Sequence, residues 1–241
     1  MRKEEAGMAK EGSAHDAADR GALVMLTRAP LPGRAKTRMM PQLSASECAD
    51  LQRCLLRDAA LLCRSLPSSV DVFVAYAPEG GREAVSSAFD APAEYFAQRG
   101  RDIGERMLDA ARHVLSAGYG RCALIGSDAP ELEASDVERA LSRLDGCDAA
   151  FVPSTDGGYC LIALKVAEEA LFSLESYGHG AVLRQTLDAA SAAGLSCDVL
   201  PAIDDIDCWD DAVLLLARAD VDPRKRELSV VRFLRGIEAA R

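Results

Sequence analysis

Between Arg28 and Arg38 the chain reads Arg-Ala-Pro-Leu-Pro-Gly-Arg-Ala-Lys-Thr-Arg, one residue after the apolar run Ala22-Leu23-Val24-Met25-Leu26. No acidic residue occurs from Arg20 to Ser46, although the chain as a whole carries a formal net charge of -10. A local cation in a globally anionic protein points to an anionic ligand. Gly33 lets the backbone approach such a ligand closely, and Lys36 with Arg34 or Arg38 can supply point and forked donors to phosphate oxygens. The alternative is a solvated basic loop. A Walker A loop is excluded, because that motif needs glycines one and six residues before its lysine, where this chain has Ala35 and Pro30. No Gly-x-Gly-x-x-Gly fingerprint occurs either, which leaves a Rossmann dinucleotide site without support.

Three acidic segments complement this loop. Gly126-Ser127-Asp128-Ala129-Pro130 places a carboxylate at the end of an apolar run, where it could ligate Mg²⁺ or Mn²⁺ shared with a diphosphate, or cap the turn that follows. Asp156-Gly157-Gly158 stands between two predicted strands. It reads either as a hairpin turn or as a glycine-lined crossover where a sugar or acceptor lies against backbone, with Asp156 binding a hydroxyl or the metal. Asp204, Asp205, Asp207, Asp210 and Asp211 put five carboxylates in eight residues with no cation adjacent in sequence. Solvent or a metal must relieve such repulsion, and Asp207 could instead be the N-cap of the next helix. His179, between Gly178 and Gly180, is a candidate ligand contact or an incidental surface histidine.

The elements that must position these residues alternate. Ser44 and Glu47 have capping-box spacing, and Cys48, Leu51, Leu55, Ala59 and Leu62 recur at helical intervals, predicting a helix over about 45–65. Strands are predicted at 22–26, 70–77, 122–126, 149–152, 159–164 and 196–200. Further helices are predicted at 102–117, after a second capping-box spacing at Ser135 and Glu138, and near 181–193, 209–219 and 224–239. Such alternation specifies an α/β fold, a mostly parallel sheet covered by helices on both faces. Ligands in such sheets bind beyond the carboxyl ends of the strands, where the loops at 28–38 and 126–130 would both lie.

Composition sets the remaining bounds. At 241 residues and 49% hydrophobic side chains, the chain suits one large domain over residues 21–241, preceded by a charged, Ala- and Gly-rich extension at 1–20 that is expected to be disordered. No run reaches the roughly 18 apolar residues of a membrane span and no signal-peptide core is present, so the expectation is a soluble, cytoplasmic protein. Eight scattered cysteines without a Cys-x-x-Cys pair read as buried free thiols. An isoelectric point near 4.9 argues against a nucleic-acid partner.

In order and spacing, Pro32-Gly33-Arg34-x-Lys36-Thr37-Arg38, Gln98, Gly104-Glu105-Arg106-Met107, Gly126 to Pro130, Asp156-Gly157-Gly158-Tyr159 and Asp205-Ile206-Asp207 resemble a bacterial glycosyltransferase-like family of the nucleotide-diphospho-sugar transferase superfamily, DUF2064. The resemblance spans about residues 21–219. It implies a GT-A-like α/β/α three-layer sandwich with a mixed, mainly parallel sheet, a nucleotide-binding N-terminal half and an acceptor-binding C-terminal half. By that resemblance Pro32, Gly33, Arg34, Lys36 and Arg38 face nucleotide phosphates, and Asp128 binds Mg²⁺ or Mn²⁺, with Asp207 as a second candidate ligand. Asp156, Gly157, Gly158 and His179 lie beside donor sugar or acceptor, and Asp128, Asp156 and Lys36 carry the chemistry. Three activities fit: glycosyl transfer from a nucleotide sugar to a small acceptor, nucleotidyl transfer from an NTP with release of pyrophosphate, and non-catalytic nucleotide-sugar binding. Ala163, Cys208 and His179 depart from the residues usual in the family.

Overall fold

The computed structural model describes residues 20–240. Of the predicted extension only Arg20 falls inside them, fixed by a bidentate ion pair to Asp71 (2.6 and 2.8 Å); residues 1–19 lie outside the described residues. Seven strands form one sheet: β1 (Gly21–Arg28), β2 (Val70–Ala77), β3 (Glu94–Ala97), β4 (Arg121–Gly126), β5 (Ala149–Pro153), β6 (Tyr159–Leu164) and β7 (Cys197–Val199). Their spatial order is β3-β2-β1-β4-β6-β5-β7. Every neighbouring pair is parallel except β4–β6 and β5–β6, so β6 alone runs against the others. The Asp156-Gly157-Gly158 segment is therefore a hairpin connection between antiparallel β5 and β6, not a crossover. Two glycines make that tight reversal feasible.

The helices are α1 (Ala45–Arg64), α2 (Arg82–Ser86), α3 (Ile103–Ser116), α4 (Ala134–Arg143), α5 (Val182–Ala192), α6 (Trp209–Val221), α7 (Pro223–Arg226) and α8 (Ser229–Ala239). On one face of the sheet, Leu23, Met25 and Val74 pack with Leu56 and Ala60 of α1 and with Val137, Ala140 and Leu141 of α4. On the other, Val24, Leu124, Phe151 and Ile162 pack with Met107, Ala110, Ala111 and Val114 of α3 and with Ala190 of α5. The period-2 alternation of β1 feeds both layers, which explains why Ala22 to Met25 are all fully buried. A third cluster joins α1 to α6 and α8 through Leu51, Leu55, Leu215 and Val231 and includes Met39 and Ile206, one from each of two site loops.

Local chemistry explains the boundaries. Ser44 accepts from Glu47 N while Glu47 returns a bond to Ser44 N, closing the capping box of α1. The box of α4 lies two residues earlier than its sequence spacing indicated, between Glu133 and Asp136, and the helix starts at Ala134. The helix predicted over 224–239 is two, α7 and α8, because Asp58 of α1 accepts from Ser229 N (2.7 Å) and Val230 N (3.0 Å) and starts α8 there. The short helix α2 and strand β3 carry too few periodic residues to announce themselves. All eight cysteines are free; Cys48, Cys54, Cys63, Cys122 and Cys160 are buried, and Cys147, Cys197 and Cys208 only partly so. Burial pushes the thiols of Cys63, Cys122 and Cys160 up to about 12, which suppresses the reactive thiolate. Among the described residues no helix is long and apolar enough to cross a membrane.

Candidate functional site

A cleft of about 680 Å³ opens beyond the carboxyl ends of β1 and β4. Arg34, Lys36, Arg38, Asp128, Asp156, Gly158, His179 and Asp207 line it together, although the first and last are more than 170 positions apart. Pro32, Gly33 and Gly157 do not line it. They shape the loops behind the lining residues.

The basic loop is positioned by Lys36. It adopts a left-handed conformation (φ 49°), the only described non-glycine residue to do so, and precedes a 3-10 turn at Thr37–Met39 whose Met39 is fully buried. Anchored there, Lys36 sends its side chain, only 7% exposed, across the cleft. Its Nζ lies 3.2 Å from Asp128 Oδ2 and 3.6 Å from Asp207 Oδ1 and donates to Ile206 O at 2.5 Å. Arg38 Nη1 donates to Asp207 Oδ2 at 2.7 Å. Asp207 of the acidic segment thus draws its counter-charge from the first loop. Asp207 is not the helix cap: Cys208 is, and Asp211 accepts from Asp207 N (2.9 Å) and Cys208 N (2.7 Å).

The three acidic loops are strapped to one another. Ile206 N donates to Asp128 O (2.8 Å) and Ile203 N to Pro153 O (2.8 Å). Behind them Arg218 of α6 bridges Glu131 (2.6 Å) and Asp204 (2.7 Å), Lys225 pairs with Glu131, and Thr155 Oγ1 donates to the other oxygen of Asp204. Asp156 Oδ1 accepts from Ser154 Oγ and Gly158 N, which folds the carboxylate over its own turn. Gly157 is needed there: its φ is +89°, and a Cβ would stand 2.3 Å from Gly180 O. Gly126 serves Asp128 in the same way, since a Cβ would stand 2.3 Å from Asp128 Oδ1.

Carboxylates converge as a result. Burial, followed by the charges of Asp128, Asp156 and Asp207, pushes Asp205 up to about 7, so four acids share one electrostatic neighbourhood. Among the described residues no group of three or more His, Cys, Asp or Glu side chains is arranged to hold a metal ion. His179 accepts from Ala181 N at Nδ1 (3.3 Å), and its Nε2 lies 3.2 Å from Ser176 O, so both ring nitrogens serve its own loop.

Several lining residues have no role assigned from sequence: Arg28, Arg106 and Ser127 stand within quoted motifs, and Thr27 and Gln52 are not singled out. Arg28 and Arg106 line the cleft, and with Arg34 they have no carboxylate partner among the described residues. Thr27, Ser127 and Gln52 form a buried hydroxyl–amide network at the ends of β1 and β4, with Gln52 Nε2 donating to Thr27 Oγ1 (3.1 Å) and Ser127 Oγ (2.9 Å). Polar residues at otherwise apolar helix and strand positions were the available signal.

This architecture, an α/β/α sandwich with a mixed, mainly parallel sheet and a cleft at its carboxyl edge, is the nucleotide-diphospho-sugar transferase fold. The chain belongs to the family described as an uncharacterized protein conserved in bacteria (DUF2064), whose model matches residues 63–179. It is similar to a protein of Desulfovibrio desulfuricans G20 provisionally assigned as a nucleotide-diphospho-sugar transferase, at 30% identity and TM-score 0.81 over 91% of this chain and 95% of that one. Two more distant structures share the fold. A cytidylyltransferase from Leptospira borgpetersenii serovar Hardjo-bovis is 14% identical, with TM-score 0.53 over 92% of this chain and 94% of that one. A 4-diphosphocytidyl-2C-methyl-D-erythritol synthase from Anaerococcus prevotii DSM 20548 is 8% identical, with TM-score 0.54 over 84% and 97%. No curated protein matches the chain in sequence.

Proposed function

We propose that the protein is a transferase that binds a nucleotide-diphospho-sugar in this cleft and passes the glycosyl group to a small acceptor. The observation that carries this reading is the meeting of the basic loop with Asp128, Asp156 and Asp207 in one cleft of a size suited to a small-molecule ligand. Arg28, Arg34 and Arg106 are guanidinium donors without carboxylate partners among the described residues, suited to the oxygens of a diphosphate. The departing diphosphate accumulates negative charge, which Lys36 and these arginines stabilise from fixed positions. Asp156, which lines the same cleft, orients the acceptor hydroxyl and takes its proton as the new bond forms.

Mg²⁺ or Mn²⁺ fits the donor chemistry, because Asp128 and Asp207 offer hard carboxylate oxygens and the ligand's phosphates would complete the shell. When bound, such an ion stabilises charge on the leaving phosphate. Lys36 Nζ already lies between the two carboxylates, so lysine and metal compete for them. The number of unpaired guanidinium groups also suits a triphosphate, and that observation favours nucleotidyl transfer as the second reading.

Product analysis separates the two. Incubated with nucleotide sugars and Mg²⁺, a glycosyltransferase releases nucleoside phosphate and no pyrophosphate; pyrophosphate released from an NTP would overturn the glycosyl reading. Saturable binding without turnover of either donor class, across a panel of small hydroxylated and phosphorylated acceptors, would leave a binding protein.

A further inference from the structure

We propose that Gln98 determines nucleotide specificity by accepting a hydrogen bond from an N–H group of the base. The proposal rests on the reading of the cleft as a nucleotide site. Gln98 follows β3 and lines the cleft, and its backbone N–H continues the ladder to Tyr76 O (2.9 Å). Its amide nitrogen donates to two backbone carbonyls at the ends of β1 and β2, Thr27 O at 3.0 Å and Ala75 O at 2.8 Å. Carbonyl oxygens only accept, so the nitrogen must be the atom facing the strands and both amide hydrogens are consumed. Oε1 is left directed away from the strand ends, with no partner among the described residues. A side chain held in this way offers a ligand an acceptor and no donor. It selects for an N–H and against a carbonyl or ring acceptor at the same place.

Position identifies the base as the partner. Lys36, Asp128 and Asp207 hold the phosphate end at β1 and β4, whereas Gln98 sits between the ends of β1 and β2, toward the opposite edge of the sheet. Leu26, paired with Ala75, and Ile103, 39% exposed at the start of α3, line the same cleft and offer apolar surface to a planar ring. A ribose diol has no use for such surface.

Calorimetric titration of the wild type and Gln98→Met tests the assignment with inorganic tripolyphosphate, the four ribonucleoside triphosphates, their 2′-deoxy forms, and the preferred nucleotide methylated at its base N–H. The wild type is expected to bind one nucleotide at least tenfold more tightly than tripolyphosphate. That preference should fall by roughly tenfold, about the loss of one hydrogen bond, both in Gln98→Met and on base methylation. Tripolyphosphate should bind both proteins equally, which reports an intact fold and phosphate site, and the 2′-deoxy form should match the ribonucleotide. Retention of the base preference in Gln98→Met, insensitivity to base methylation, or loss of affinity on 2′-deoxygenation would overturn the assignment to Gln98. Failure of the wild type to bind tripolyphosphate or any nucleotide would instead refute the phosphate site, and this proposal with it.

Discussion

Lys36→Met removes the cation that joins the first loop to the acidic loops, and its cost can be worked from the contacts. Nζ serves Asp128, Asp207 and Ile206 O from a side chain 7% exposed, whereas the two carboxylates are 34% and 41% exposed. Breaking a fully buried pair by removing one partner costs about 3–5 kcal/mol, and half-exposed partners, rehydrated in the variant, reduce this to about 1–2 kcal/mol. The bond lost at Ile206 O adds about 1 kcal/mol. Asp207 keeps Arg38, so the burden falls on Asp128. A loss of about 2–3 kcal/mol in a domain of this size lowers Tm by about 4–12 °C. Calorimetry at low salt on Lys36→Met, Asp128→Asn and the double variant measures it as a cycle, with an expected coupling of about 1 kcal/mol. A Lys36→Met protein as stable as the wild type, or an Asp128→Asn cost independent of Lys36, would refute the view that the lysine neutralises these acids.

Other perturbations address separate parts of the account. Gly157→Ala places a methyl group against Gly180 O at a positive φ, so a destabilisation of roughly 1–3 kcal/mol and loss of transfer activity are expected in urea titration and turnover assays. Arg218→Met removes the bridge between Glu131 and Asp204 behind the acidic loops, leaving Glu131 to Lys225 and Asp204 to Thr155; stability should drop by about 1–3 kcal/mol, and Lys at this position, able to hold only one of the two carboxylates, should recover only part of it. Asp71 is held below the usual carboxylate range by hydrogen bonds from Arg20 and Tyr119. Because its folded value lies below its unfolded one, its contribution is complete above about pH 4 and disappears as pH falls through the folded value. Asp71→Asn should therefore lose stability at neutral pH and show a flatter pH dependence than the wild type in acid.

The fold was legible because its signals are local. The apolar run of β1, the Ser44–Glu47 box and the 3.6-residue recurrence of α1 lie within 21–64, and each repeats farther along the chain. The direction of β6 was not legible, because a glycine turn serves a hairpin and a crossover equally well until strand pairing decides. For the site, residue type and strand-end position brought Arg34, Lys36, Arg38, Asp128, Asp156 and Asp207 to notice, and they do line one cleft. Their pairing was hidden. Lys36 and Asp128 are separated by 92 positions, Arg38 and Asp207 by 169, and no local pattern encodes an ion pair across such spans. Gln52 is silent in sequence, and Gln98, which stands among the residues of the family resemblance, shows no role there, since a glutamine acquires directionality only when its amide hydrogens are pinned by particular acceptors.

The central claim, that the basic loop and the strand-end acids serve one nucleotide ligand, is tested most directly by titrating the protein calorimetrically with nucleoside diphosphates in Mg²⁺. The wild type, Arg34→Ala and Asp128→Ala are compared, with folding verified by circular dichroism. The account predicts one saturable site in the wild type that is weakened at least tenfold by either substitution, because both residues line the same cleft. Binding unaffected by Arg34→Ala or by Asp128→Ala in a folded protein would contradict it.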